Sequence, residues 1–231
     1  MGDATQEQEK VIDMKRNKTL LNALVVLLAL SPIAYLLIIW SSIPESIRMS
    51  FNFNKLIVEQ ENKSMLIVST SIISITSIAL YFLLRNLKKF DPKVKKSSSE
   101  TGFNRLGISL AIFMTLLNFS LILIAVKGWV ITRKEMFIFV GLLFALLGNY
   151  MNTIKPNFFA GIRLPWTLND ENNWRKTHQL AGKLWFFGGI LVALFSWFLP
   201  ENLLIYMFVA VMIVLVLIPG IYSYRLFKHK S

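Results

Sequence analysis

The sequence predicts an all-α, polytopic integral membrane protein with six transmembrane helices and a structured cytoplasmic loop between helices 4 and 5. Three observations predict it. Six apolar runs of about 20 residues recur along the chain, and each is long enough to cross about 30 Å of hydrocarbon at 1.5 Å per residue. The 231 residues are 55% hydrophobic and only 16% charged, against about 25% charged in soluble domains. The basic residues are also sorted between alternate loops, as cytoplasmic retention of Lys and Arg requires.

The runs are 20–40, 65–84, 106–126, 136–154, 180–199 and 203–221. The first is longer than a signal-peptide core and no small-x-small cleavage site follows it. Gln6 breaks the N-myristoylation pattern. Pro32 predicts a kink that neighbouring helices can accommodate. Pro200, Glu201 and Asn202 form a tight hairpin between the last two runs. Nineteen of the 25 Lys and Arg residues lie in the N-terminus, the second and fourth loops and the C-terminus. Both termini and those loops are therefore expected in the cytoplasm, and the first loop (41–64) outside. The net charge of +12 follows from this sorting, and no direct nucleic-acid binding is expected.

The absence of Cys excludes disulfides, thiolate metal sites and a Cys nucleophile. Five spans carry no ionisable residue, and the fifth has only Lys183 at its entrance. That counts against a proton-coupled pump. Ser69, Thr70, Ser71, Ser74, Thr76, Ser77 and Asn118 read as interhelical hydrogen-bonding groups, and Gly141, Ala145 and Gly148 as a small-residue packing stripe. No catalytic group, cofactor or metal is expected.

The fourth loop is more elaborate than a connector needs. Gly148 and Asn149 loosen the end of the fourth helix, and Asn149 and Asn152 can bond backbone groups left free there. Lys155-Pro156-Asn157 is a turn signal, and Phe158 and Phe159 suit the headgroup level. Gly161 frees the backbone before Arg163, and Leu164-Pro165-Trp166 reads as extended, with Trp166 stacked on Arg163 or seated at the headgroups. Arg163 is expected to clamp the loop through carbonyls of the fourth span or through Asp170 or Glu171, so that Lys could not replace it. Thr167 and Asn169 are candidate N-caps. An amphipathic helix on the inner surface should follow, with Trp174, His178, Ala181 and Trp185 on one face and Arg175, Lys176, Gln179 and Lys183 on another.

Read in order, Gly148-Asn149-Tyr150-Met151, Lys155-Pro156-Asn157, Gly161-Ile162-Arg163, Pro165-Trp166-Thr167-Leu168, Trp174 and Lys176-Thr177-His178 resemble the signature of the SdpI family of bacterial membrane immunity proteins. In the first loop, Pro44, Ile47, Phe51, Asn52 and Phe53 resemble the short DUF1648-type domain that often precedes that signature. This copy departs from the pattern at Arg48, Ser50 and Lys55. The resemblance divides the chain into residues 1–105, with two spans, the outer loop (41–64) and a basic inner loop (85–105), and residues 106–231, with four spans and the signature loop (148–183). It implies a multi-pass protein of the bacterial cell membrane that protects against a secreted peptide toxin and holds a cytoplasmic repressor at the membrane. The partners it implies are the lipid bilayer, the toxin and the repressor. Toxin recognition would fall to Pro44, Ile47, Phe51, Asn52 and Phe53. Asn149, Lys155, Pro156, Asn157, Gly161, Arg163, Pro165, Trp166, Thr167, Trp174, Lys176, Thr177 and His178 would have structural or partner-binding roles. Two other readings stand beside it: a transporter or exporter, disfavoured by the uncharged spans, and a membrane-embedded enzyme using Lys155, Arg163 or His178.

Overall fold

A computed structural model describes residues 2–49, 59–91, 100–127 and 133–229. The elements run α1 (Gly2–Ile38), β1 (Ser46–Met49), β2 (Glu59–Asn62), α2 (Ser64–Arg85), α3 (Leu87–Phe90), α4 (Glu100–Val126), α5 (Arg133–Met151), α6 (Pro165–Asn169), α7 (Glu171–Phe198) and α8 (Glu201–Lys228). Six of these helices (α1, α2, α4, α5, α7 and α8) are long and apolar enough to cross a membrane. The all-α, six-span reading therefore holds.

The boundaries differ in instructive ways. Helix α1 begins at Gly2, because a Gln-, Glu- and Lys-rich segment without Pro favours helix and simply extends the span. Helix α5 ends at Met151 rather than 154. There the Thr153 N–H and hydroxyl both turn back to the Tyr150 carbonyl, at 2.9 and 2.7 Å. The expected surface helix is not a separate element. It is the first part of α7, a continuous 28-residue helix about 42 Å long, which exceeds the hydrocarbon thickness.

The first loop adds a small antiparallel hairpin, with Ser46 opposite Asn62 and Met49 opposite Glu59. Its base is closed by Lys63, which bonds the Glu45 carboxylate at 2.6 Å and lies 5.0 Å from the Trp40 ring centroid. Pro44 is exposed beside it and Ile47 falls in β1. Phe51, Asn52 and Phe53 lie outside the described residues.

Helices α1, α2 and α4 pack on one another, and α5, α7 and α8 form a second group; contact between α4 and α5 is sparser. Both prolines inside helices, Pro32 and Pro219, are accommodated as membrane helices require. A proline leaves the carbonyl four residues earlier without its helical donor. The carbonyl freed by Pro32, that of Leu28, accepts from the Ser31 hydroxyl at 2.7 Å and the Thr115 hydroxyl at 3.5 Å. The one freed by Pro219, that of Leu215, accepts from the Trp185 indole at 3.2 Å. In the first group Asn118 of α4 donates to the Thr70 carbonyl and the Ser74 hydroxyl of α2, at 3.0 and 3.2 Å. In the second, Gly141, Ala145 and Gly148 of α5 face Gly182 and Gly189 of α7 with the backbones nearly touching. A Cβ added at Gly182 would lie 2.9 Å from the Gly148 carbonyl oxygen.

Candidate functional site

The chain between α5 and α7 is folded around buried polar side chains. Asn157 is fully buried. Its carbonyl oxygen accepts from the amides of Phe159 and Ala160, at 2.8 and 2.6 Å. Its NH2 group donates to the carbonyls of Lys155 and Ala160, at 2.9 and 3.0 Å. Both donor hydrogens and both acceptor lone pairs of the amide are thus used. Pro156, half-buried, sets the turn that delivers Asn157 to this position. Phe158 and Phe159 are exposed.

The Phe158 amide reaches a residue from elsewhere in the chain. It donates to the Asp91 carboxylate at 2.6 Å, and Asp91 is 1% exposed. Asp91 directly follows α3, so the second loop is anchored to the fourth. The Arg163 guanidinium donates to the Phe158 carbonyl at 2.5 Å. Its partner is therefore inside the loop, and is neither the carbonyl end of α5 nor Asp170 or Glu171. The Arg163 side chain is exposed, and the bond is single rather than forked. The geometry does not demand a guanidinium.

Gly161 and His178 form the next contact. Gly161 has φ +106°, in the region that side-chain-bearing residues rarely adopt. A Cβ there would also run into the Nε2 atom of His178. That nitrogen accepts the Ile162 amide at 3.0 Å, and Nδ1 lies 2.8 Å from the Trp174 carbonyl. Since Nε2 accepts, Nδ1 carries the proton and donates. His178 is buried and stacks on the Trp174 indole, with centroids 3.9 Å apart and 16° between planes. Trp174 in turn donates its indole N–H to the Ile154 carbonyl at 2.8 Å.

Helix α6 forms where an extended segment was expected, because Pro165 suits the first turn of a helix and Thr167 supplies its start. The Thr167 hydroxyl accepts the Leu164 amide at 2.9 Å and donates to the Ile162 carbonyl at 2.8 Å. The cap of α7 is Asp170, whose carboxylate accepts from the Asn172 amide at 2.9 Å, rather than Thr167 or Asn169. Trp166 does not stack on Arg163. Its indole donates to the Ser223 hydroxyl near the end of α8 at 2.9 Å, and its ring stacks on Phe227 at 5.7 Å. A second bond to the same place comes from α7. Asn173 donates to the Ser223 carbonyl at 2.9 Å and accepts from Thr177 at 3.0 Å, all buried.

Of the residues singled out from sequence, Asn157, Gly161, Thr167, Trp174, Thr177 and His178 come together in one interlocked unit, with Pro156, Pro165 and Trp166 shaping its path. Lys155 is half-buried at its edge. Arg175, Lys176, Gln179 and Lys183 form the expected exposed face of α7. Asn149 and Asn152 are exposed, and among the described residues their side chains cap nothing. Sequence reasoning missed Asp91, Asn173 and Ser223. Asp91 is one of two acids, with Glu100, among seven basic residues of the second loop, and Asn173 stands one turn before Thr177, spacing that lets two side chains bond. Ser223 had no local signal.

This unit coincides with a family match: the SdpI/YfhL protein family matches residues 153–223. Over this segment the chain is similar to that family. It is similar to "Immunity protein SdpI" of Bacillus subtilis (strain 168), at 35% identity over 89 residues, 38% of this chain. The match spans 42% of that relative's length. No solved structure matches the chain significantly. The family segment starts where α5 has ended and stops at Ser223. It takes in the loop, α7 and most of α8, including both anchors of Trp166 and Asn173.

Proposed function

We propose that this protein is a bacterial cell-membrane immunity protein that protects its cell from a secreted peptide toxin. The observation that carries the reading is the coincidence of the SdpI/YfhL match at 153–223 with a loop in which the signature residues bond one another. The similarity to an immunity protein supports this activity. Both termini and the second and fourth loops are cytoplasmic in this reading, supported by the sorting of Lys and Arg. The first loop then meets the toxin, with Pro44, Ile47, Phe51, Asn52 and Phe53 as its contact residues. An enzyme using His178 is disfavoured because both ring nitrogens are engaged with the backbone.

The reading extends to a cytoplasmic repressor held at the membrane. Asp91 ties the basic second loop to the signature unit, so a change in one is felt by the other. The decisive experiment compares survival of cells with and without the protein during challenge by peptides secreted from related strains. Protection is expected; equal killing by every toxic peptide would overturn the reading. Exchange of 41–64 for a relative's loop should transfer toxin preference, and an unchanged preference would move recognition into the spans. A reporter fused after Ser231 should read as cytoplasmic. The basic residues of the second loop serve topology and attraction to anionic lipid, so neutralising Lys93, Lys95 and Lys96 should leave repressor capture in place, and lost capture with topology intact would make the second loop the dock.

A further inference from the structure

The polar face of α7 that the signature unit leaves unused meets the end of α5 in a groove of about 450 Å³. Asn149 and Asn152 approach it from α5, and Gln179 and Lys183, one helical turn apart, from α7. The groove exists because Gly148 and Gly182 let the two backbones touch beneath it. Its other end is lined by Phe186 and Phe187, and Phe187 is 67% exposed. Among the described residues, the side chains of Asn149, Asn152, Gln179 and Lys183 form no hydrogen bond or ion pair. No carboxylate lines the groove. Three amides and one ammonium therefore converge with their bonding capacity unspent, where the end of α5 meets α7.

Such a set matches a singly charged anion rich in oxygen acceptors and hydroxyl groups. Lys binds phosphate as a point charge, and amides both donate to phosphate oxygens and accept from hydroxyls. The apolar end calls for a hydrocarbon chain on the same molecule. We propose that this groove seats one anionic phospholipid of the surrounding bilayer, with the phosphate at Lys183 and the amides, and with an acyl chain along Phe186 and Phe187. The site is separate from the toxin reading and does not depend on it.

The test uses the purified full chain in a defined mixture of phosphatidylglycerol and phosphatidylcholine, with bound lipid counted by native mass spectrometry. One phosphatidylglycerol should survive activation that strips phosphatidylcholine. Lys183→Gln should reduce its retention about fivefold, the effect of one basic residue at a charged surface, and adding Asn152→Ala should reduce it further. Arg175→Gln removes the same charge outside the groove and should leave retention unchanged. All these side chains are exposed, so melting curves should overlay the parent's. If the double variant melts early, Lys183→Gln alone decides. Unchanged retention in Lys183→Gln, equal loss in Arg175→Gln, or equal retention of phosphatidylcholine would overturn the proposal. Displacement of the lipid by glycerol phosphate or inorganic phosphate would overturn the lipid assignment in favour of a soluble anion.

Discussion

The two three-helix groups of this molecule are joined internally by different means. In α1, α2 and α4 the contacts run through side chains. Asn118 reaches into α2, and the Tyr81 hydroxyl donates to Asn22 while accepting from Arg85, each at 2.9 Å. In the second group α5 and α7 meet backbone to backbone at glycines, and apart from the Trp185 bond to α8 the polar bonds cited above lie in the loop at one end. The difference is one of tolerance. A side-chain bond within a membrane bundle contributes modestly, about 0.6 kcal/mol on average, because the separated helices find other partners. A glycine contact has no slack, because a Cβ meets main-chain atoms that cannot rotate away. The second group should therefore be brittle, and it carries the family segment.

The severest test is Gly189→Val. Its Cβ would fall on the Gly141 carbonyl and the Ala145 amide, so α5 and α7 must part. A cost above about 3 kcal/mol is expected, at the top of the overpacking range, seen as loss of monodisperse protein after extraction. Gly220 sharpens the comparison, since nothing lies within 4 Å of a Cβ there. Gly220→Ala should be neutral or stabilise by up to about 1 kcal/mol; equal damage at both positions would refute the backbone-contact account.

Gly161→Ala comes next. It combines a left-handed backbone with an obstruction by His178, at an expected cost of about 1–3 kcal/mol. Limited proteolysis should then cut between α5 and α7 while the helices stay intact. Asn157→Asp keeps both acceptors but removes the donations to Lys155 and Ala160. It also buries a charge, so a loss of about 1–3 kcal/mol is expected. A thermal shift indistinguishable from the parent's would remove Asn157 as the organiser of the turn.

In the first group, Asn118→Ala should cost about 1 kcal/mol, less than either loop change, by the same thermal assay. The smallest effect is expected at Arg163. One exposed bond to the Phe158 carbonyl contributes about 1 kcal/mol at most, and a Lys ammonium can make it. Arg163→Lys should match the parent in protein level and toxin protection, with Arg163→Ala slightly lower. Failure of Lys would point to a forked partner other than the Phe158 carbonyl.

Six spans, the packing role of Gly141, Ala145 and Gly148, the carbonyl freed by Pro32 and the two faces of α7 were all written in the sequence. Each is a repeated or local property: run length, spacing of four, a missing N–H, a period of 3.6. The importance of Asn157, Gly161 and His178 was legible as a pattern, but their partners were not. Tertiary structure alone decided that Asp91 closes on the Phe158 amide, that Trp166 and Asn173 meet at Ser223, and that Arg163 holds a carbonyl five residues away rather than an acid. These pairings join chain segments between five and 67 residues apart. The physical reason is that a buried polar group must find a partner somewhere, while sequence states only that it needs one. Which one lies within reach depends on how closely the glycines let α5 and α7 approach, and on where α8 then ends.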